Sequence, residues 1–104
     1  MKLVRLSPEA VEELAGSAVW YESRQPGLAA KYLDEFERTL VSIATRPASF
    51  PRFLNMAPDL AIRRAVLPRF PYGVVFIELE TEIRILAVAH AKRQPGYWLN
   101  RVQE

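Results

Sequence analysis

The chain has 104 residues, half of them hydrophobic and a quarter charged, with no cysteine and a net charge of +2. That length suits one domain spanning residues 1–104, large enough to bury its own core. The composition excludes disulfides and thiolate metal sites, and with no apolar run long enough for a signal peptide or a membrane span, a cytoplasmic protein without membrane contact is expected.

The charge is uneven. Residues 1–60 carry seven basic and eight acidic side chains, whereas residues 61–104 carry seven basic and four acidic. The second half is mildly cationic, which permits a nucleic-acid partner without requiring one.

In chain order, Lys2–Leu6 reads as a short strand. Ser7-Pro8-Glu9 then starts a helix: serine is a favoured N-cap, proline fits the first helical position, and glutamate suits the positive end of the helix dipole. Val11, Leu14, Ala15, Ala18 and Val19 follow at helical spacing as one apolar stripe, with Glu9, Glu12, Glu13 and Glu22 off it. Gln25-Pro26-Gly27 ends this helix and a second begins at Leu28. Its predicted buried side is Ala29, Tyr32, Leu33, Phe36, Leu40, Ile43 and Ala44, with Asp34, Glu35, Glu37 and Arg38 facing away. The short connection makes the two helices an antiparallel hairpin.

Residues 47–60 hold three prolines and no period, and read as loop. Three strands follow, at 62–67, 73–79 and 83–90, the last two joined by a turn at 80–82. Continuous apolarity from Leu86 to Ala89 predicts burial on both faces, hence a central strand. The expected fold is α+β in the order β-α-α-β-β-β, with the helix hairpin on one face of a small, mainly antiparallel four-stranded sheet. The other face stays open unless a partner or the final segment covers it.

Motifs that carry chemistry are few. There is no glycine-rich phosphate loop, and a single histidine leaves no metal-ligand cluster or recognisable nucleophile turn, so no metal or cofactor is expected. His90, at the end of the last strand, reads either as a general base or hydrogen-bond donor, or as a residue tying the strand end to a carbonyl. The adjacent Lys92 and Arg93 oppose its charged form. Arg63 and Arg64 point to opposite faces of their strand, so one of them shares a face with part of the 92–93 pair. With Arg69, Arg84 and Arg101 they suit phosphates or a carboxylate-rich partner, or else are scattered surface charge. Tyr97 and Trp98, after a Pro-Gly break, either stack on a base or anchor the C-terminal segment. Trp20 and Tyr21 close the first helix, as partner contacts if exposed and core if buried.

The helix start, the Pro-Gly hairpin, "RRAVLPRFPYGVVFIELE" (63–80) and "IRILAVAHAKRQPGYWLNR" (83–101) together resemble the RelE/ParE superfamily of toxins from type II toxin–antitoxin systems. The resemblance covers essentially the whole chain. It implies a small cytoplasmic toxin neutralised by a co-encoded antitoxin, leaving open whether it dimerises. It further implies either a ParE-like inhibitor of DNA gyrase or a RelE-like, metal-independent nuclease that cleaves mRNA on the ribosome. RelE-like members typically carry an arginine where Gly73 stands here, which with the low charge inclines the reading to the ParE-like side. Were the chain a nuclease, Arg63 or Arg64, His90, Arg93 and Tyr97 would be its catalytic groups. Trp20, Tyr21, Arg69, Lys92, Trp98 and Arg101 are the candidates for contacting target or antitoxin.

Overall fold

In the computed structural model, which describes residues 2–103, Ser7 joins the first strand, β1 (Leu3–Leu6), to the first helix, α1 (Pro8–Arg24). Its extended backbone lets the side-chain oxygen accept the Ala10 N–H at 3.2 Å, closing the helix end as an N-cap does. The same residue donates its backbone N–H to Ile85 O and its hydroxyl to Leu86 O, so the cap is also pinned to the sheet. At the other end of α1, the Glu22 carboxylate accepts the N–H groups of Gly27 and Ala29, satisfying the start of α2 (Leu28–Thr45). Those two bonds, Gly27 first, hold the Glu22 pKa below the usual range. Gly27 itself sits at φ +90°, a left-handed turn that lets the helices meet as a tight hairpin.

The strands β2 (Ile62–Val66), β3 (Tyr72–Glu78) and β4 (Glu82–His90) complete a four-stranded sheet in the order β1-β4-β3-β2. The β2–β3 and β3–β4 pairs are antiparallel, whereas β1 lies parallel to β4, so the sheet is mixed. β4 is an inner strand, as its continuous apolarity implies. The register slips between Val75 and Phe76, which face Ala87 and Ile85, leaving Leu86 as the extra residue of a bulge. Bulging frees the Leu86 carbonyl, and the Ser7 hydroxyl and the Arg101 guanidinium both take it.

Each face of the sheet has its own core. The hairpin covers one, packing Ala18, Tyr32, Phe36 and Ile43 on Val74, Phe76 and Ile85. The chain itself covers the other: Phe53, from the 47–60 segment, and Trp98 pack on Ile62, Val75, Ile77 and Leu86. The segment is less irregular than its prolines suggest, since Pro47–Ser49 makes one 3-10 turn and residues 51–53 hydrogen-bond alongside β2. A second 3-10 turn, Leu99–Gln103, closes the C-terminal side. No helix among the described residues is long and apolar enough to cross a membrane.

Two helix faces differ from the expected ones. In α1 the buried residues are Ala10, Ser17, Ala18 and Tyr21, while Val11, Ala15 and Val19 are exposed. The stripe is therefore turned by about one residue, or roughly 100°. Burying Ser17 costs little, because its hydroxyl bonds Glu13 O and the Tyr32 hydroxyl. In α2, Glu35 is buried rather than facing away, its carboxylate accepting the Arg69 N–H at 2.9 Å, and Leu33 turns outward. Val19→Lys is expected to leave the unfolding free energy from urea titration within about 0.5 kcal/mol of the parent, whereas Ala18→Lys forces an ammonium into the core and costs on the order of 4 kcal/mol or more. Equal loss in the two variants would restore the stripe read from the sequence.

Candidate functional site

At one end of the sheet, the C-terminal half of α1, the start of β3, the end of β4 and residues 91–98 converge. They enclose two hollows, about 580 Å³ between α1 and the sheet and about 100 Å³ on the opposite side. Pro71, Tyr72, His90, Arg93 and Tyr97 line both.

Glu13 anchors this end. One carboxylate oxygen accepts the Val88 N–H at 3.0 Å and Arg101 Nη1 at 2.9 Å; the other accepts the Tyr97 hydroxyl at 2.7 Å and Arg101 Nη2 at 3.1 Å. One side chain thus ties α1 to β4 and to the C-terminal segment. Charge-assisted bonds of this kind are about twice as strong as neutral ones, and this set is largely shielded from water. Burial, then the hydrogen bond and charge of Glu13, push the Tyr97 phenol up to about 12, against the pull of Arg101 and Arg93.

The locked Tyr97 ring is a platform. The Arg93 guanidinium lies 3.9 Å from its centroid, a cation–π contact. Among the described residues Arg93 has no carboxylate partner, and it is exposed. His90 sets its ring edge-on to Tyr72 at 5.1 Å. Its Nδ1 accepts the Lys92 N–H at 3.0 Å, the reverse of a tie to a carbonyl, and Nε2 is left free to donate.

The cations divide as alternation requires. Arg64 lies on the face of Trp98 and lines the smaller hollow with Arg93. Its stem crosses Gly73, where a Cβ would stand only 3.0 Å from Arg64 Cδ. Arg63 is on the helix side, bonded to Phe50 O at 2.7 Å. Arg64, His90, Arg93 and Tyr97 therefore share a hollow, and Arg63 does not. Of the proposed contact residues, Trp20 and Lys92 are exposed beside the cleft, and Tyr21 lines it while being largely buried. Arg69 is exposed near Glu35, beside a different hollow. Trp98 is 1% exposed and anchors the C-terminal segment, while Arg101 is spent on Glu13.

The sequence reading missed Glu13 and Tyr72 as site residues. Glu13 would have been found had the stripe been phased on Ala10, Ser17 and Tyr21, which places it three residues past Ala10 on the buried side. For Tyr72 only its place at the start of β3 gave a hint. Among the described residues no three His, Cys, Asp or Glu side chains gather as a metal site needs.

Residues 4–95 match the family model of the ParE toxin of type II toxin–antitoxin system, parDE. No curated protein matches the chain. Among solved structures, a chain of the chromosomal ParDE toxin–antitoxin system from P. aeruginosa superposes with a TM-score of 0.73 at 19% identity, over 86% of this chain and 96% of that one. At that identity the likeness speaks for the fold.

Glu13→Ala leaves Arg101 buried and uncompensated and is expected to cost about 3 kcal/mol by denaturant unfolding, with Glu13→Gln losing less. Burial above all pushes both Tyr97 and Tyr32 up to about 12 in the folded chain, from 10.0 as the ordinary value. A folded pKa above the unfolded one adds stability that is full below the unfolded value and lost as pH rises through the folded value. Unfolding free energy should therefore hold up to about pH 10 and fall toward pH 12, and Tyr97→Phe should remove part of that fall. A flat alkaline limb in the parent protein would contradict the locked phenol.

Proposed function

Because this chain belongs to the family of ParE toxins of type II toxin–antitoxin systems, we propose that it works by docking on DNA gyrase and inhibiting it, and that a co-encoded antitoxin neutralises it. The observation that carries the docking reading is the commitment of Tyr97. Cleaving a phosphodiester without metal needs a base for the ribose hydroxyl, a cation for the developing charge and an acid for the leaving group. Arg64 and Arg93 suit the middle role only, since a guanidinium does not give up its proton near neutral pH. Tyr97, raised to about 12 and donating to Glu13, neither gives nor takes a proton there. Of these four, that leaves His90 Nε2 alone for two proton transfers, and burial pushes the neighbouring Tyr72 phenol up.

Gly73 supports the same reading. The space beyond its Cα is filled by the Arg64 stem, so an arginine at this position would have to displace it. What the end of the sheet does offer is outward cations, Arg93 and Lys92, beside the exposed Trp20. Aromatic and arginine side chains together are the usual anchors of protein interfaces.

Purified protein should inhibit gyrase supercoiling at micromolar concentration, and Arg93→Ala with Lys92→Ala should weaken inhibition about tenfold or more with a larger salt dependence in the parent. Intact supercoiling with folded protein present overturns the reading. One observation favours the nuclease alternative, the gathering of Arg64, His90, Arg93 and Tyr97 around one hollow. Message cut on translating ribosomes, and spared by Arg93→Ala, would establish it.

A further inference from the structure

The larger hollow, about 580 Å³, lies within the roughly 300–1,000 Å³ of small-molecule sites, and neither docking nor the Glu13 cluster accounts for it. Its polar groups sort into two sets. Glu13, Ser17 and the Tyr97 hydroxyl are fully engaged with one another or with the backbone, Tyr32 and Arg101. The Trp20 indole N–H, the Tyr21 and Tyr72 hydroxyls, His90 Nε2 and the Arg93 guanidinium have no hydrogen-bond partner among the described residues. Every one of these free groups can donate, and only the two phenols can also accept. The single carboxylate in the lining is neutralised by Arg101. Of the cations, Arg93 lines the cleft and Arg24 lies 4.6 Å from the Trp20 ring centroid. The walls are aromatic.

A lining in which donors predominate calls for a ligand rich in acceptors, the Arg93 cation calls for an anion, and aromatic walls call for a flat ring. We infer that this cleft binds a nucleoside monophosphate unit, its base held among Trp20, Tyr21 and Tyr72 and its phosphate by Arg93 and His90 Nε2. Stacking on aromatic side chains tolerates any base, because every base has a π-face. An arginine whose guanidinium already rests 3.9 Å from the Tyr97 ring centroid is held in place for contact with phosphate oxygens. Binding here requires no cleavage: besides His90 the free proton-bearing groups of the cleft are the Tyr21 and Tyr72 phenols, both pushed up by burial and so poor bases near neutral pH. The unit is either a free nucleotide or the end of a single strand. An acidic peptide, the competing occupant, would match the cations but not the aromatic walls.

The test is a titration of the full chain by nuclear magnetic resonance with nucleoside monophosphates. The Trp20 indole and the Tyr72 ring signals should shift saturably, and the unphosphorylated nucleoside should bind about tenfold or more weakly. Trp20→Ala should weaken binding at least about fivefold and Arg93→Ala about tenfold, while Trp20→Phe restores most of the affinity. Both side chains are exposed, so the variants should keep the parent's melting curve. A free nucleotide binding as tightly as a phosphorylated oligonucleotide identifies a free ligand; tighter oligonucleotide binding identifies a strand end, and either result supports the site. The inference is overturned if millimolar nucleotide shifts none of these signals. It is overturned equally if both alanine variants bind as the parent does, or if an acidic peptide fills the cleft and nucleotides do not. None of these outcomes depends on whether gyrase is inhibited.

Discussion

The Glu13 carboxylate is the constraint on which one end of this protein depends. Its two oxygens take donors from β4, from Tyr97 and from Arg101, so a helix, a strand and the C-terminal segment are held by one group. A carboxylate in such a place is costly unless matched, and here each oxygen is matched. The consequence runs outward. With Tyr97 fixed, Arg93 has a ring to lie on; with Arg101 fixed, its second contact reaches the freed Leu86 carbonyl. The bulge in β4 is thus the point where the Ser7 cap on one side and the Arg101 anchor on the other meet the same carbonyl.

That arrangement explains how a small chain covers both faces of its sheet. Two helices serve one face. For the other the chain uses only side chains from irregular segments, chiefly Phe53 and Trp98, whose rings lie 4.9 Å apart. Large aromatic rings bury much area per residue, which suits segments with no helix to offer. The segment bearing Trp98 stays on the sheet because Tyr97 and Arg101, on either side of it, are bound to Glu13.

The site inherits its character from the same lock. Glu13 and the Tyr97 hydroxyl are consumed in holding the structure, and those left over are mainly cations, ring faces and donors. Such a surface suits anions, flat rings or partner proteins, with His90 and the phenols of Tyr21 and Tyr72 as its free proton-bearing neutral groups. Membership of the ParE toxin family marks the chain as a toxin of a type II toxin–antitoxin system, and the docking proposal rests on this distribution of free and engaged groups.

Much of this was legible in the sequence, for identifiable reasons. Ser7-Pro8, the Pro-Gly hairpin and the apolar run of β4 are local signals, and caps, turns and two-sided burial follow from neighbouring residues alone. The element order and the family pattern rest on such signals. Which side of α1 is buried does not, because Val11, Ala15 and Val19 offer as apolar a stripe as Ala10, Ser17 and Tyr21. Only the partners that satisfy Ser17 and Glu13, fifteen and more residues away, decide between them. The same holds for Glu35, which Arg69 makes tolerable inside, and for Arg63 and Arg64, which alternation separates without saying which faces the site. The sequence by itself determined the elements, their order and the family. The tertiary structure alone decided which charges are locked and which are free, because a polar group's role depends on partners brought to it from distant parts of the chain.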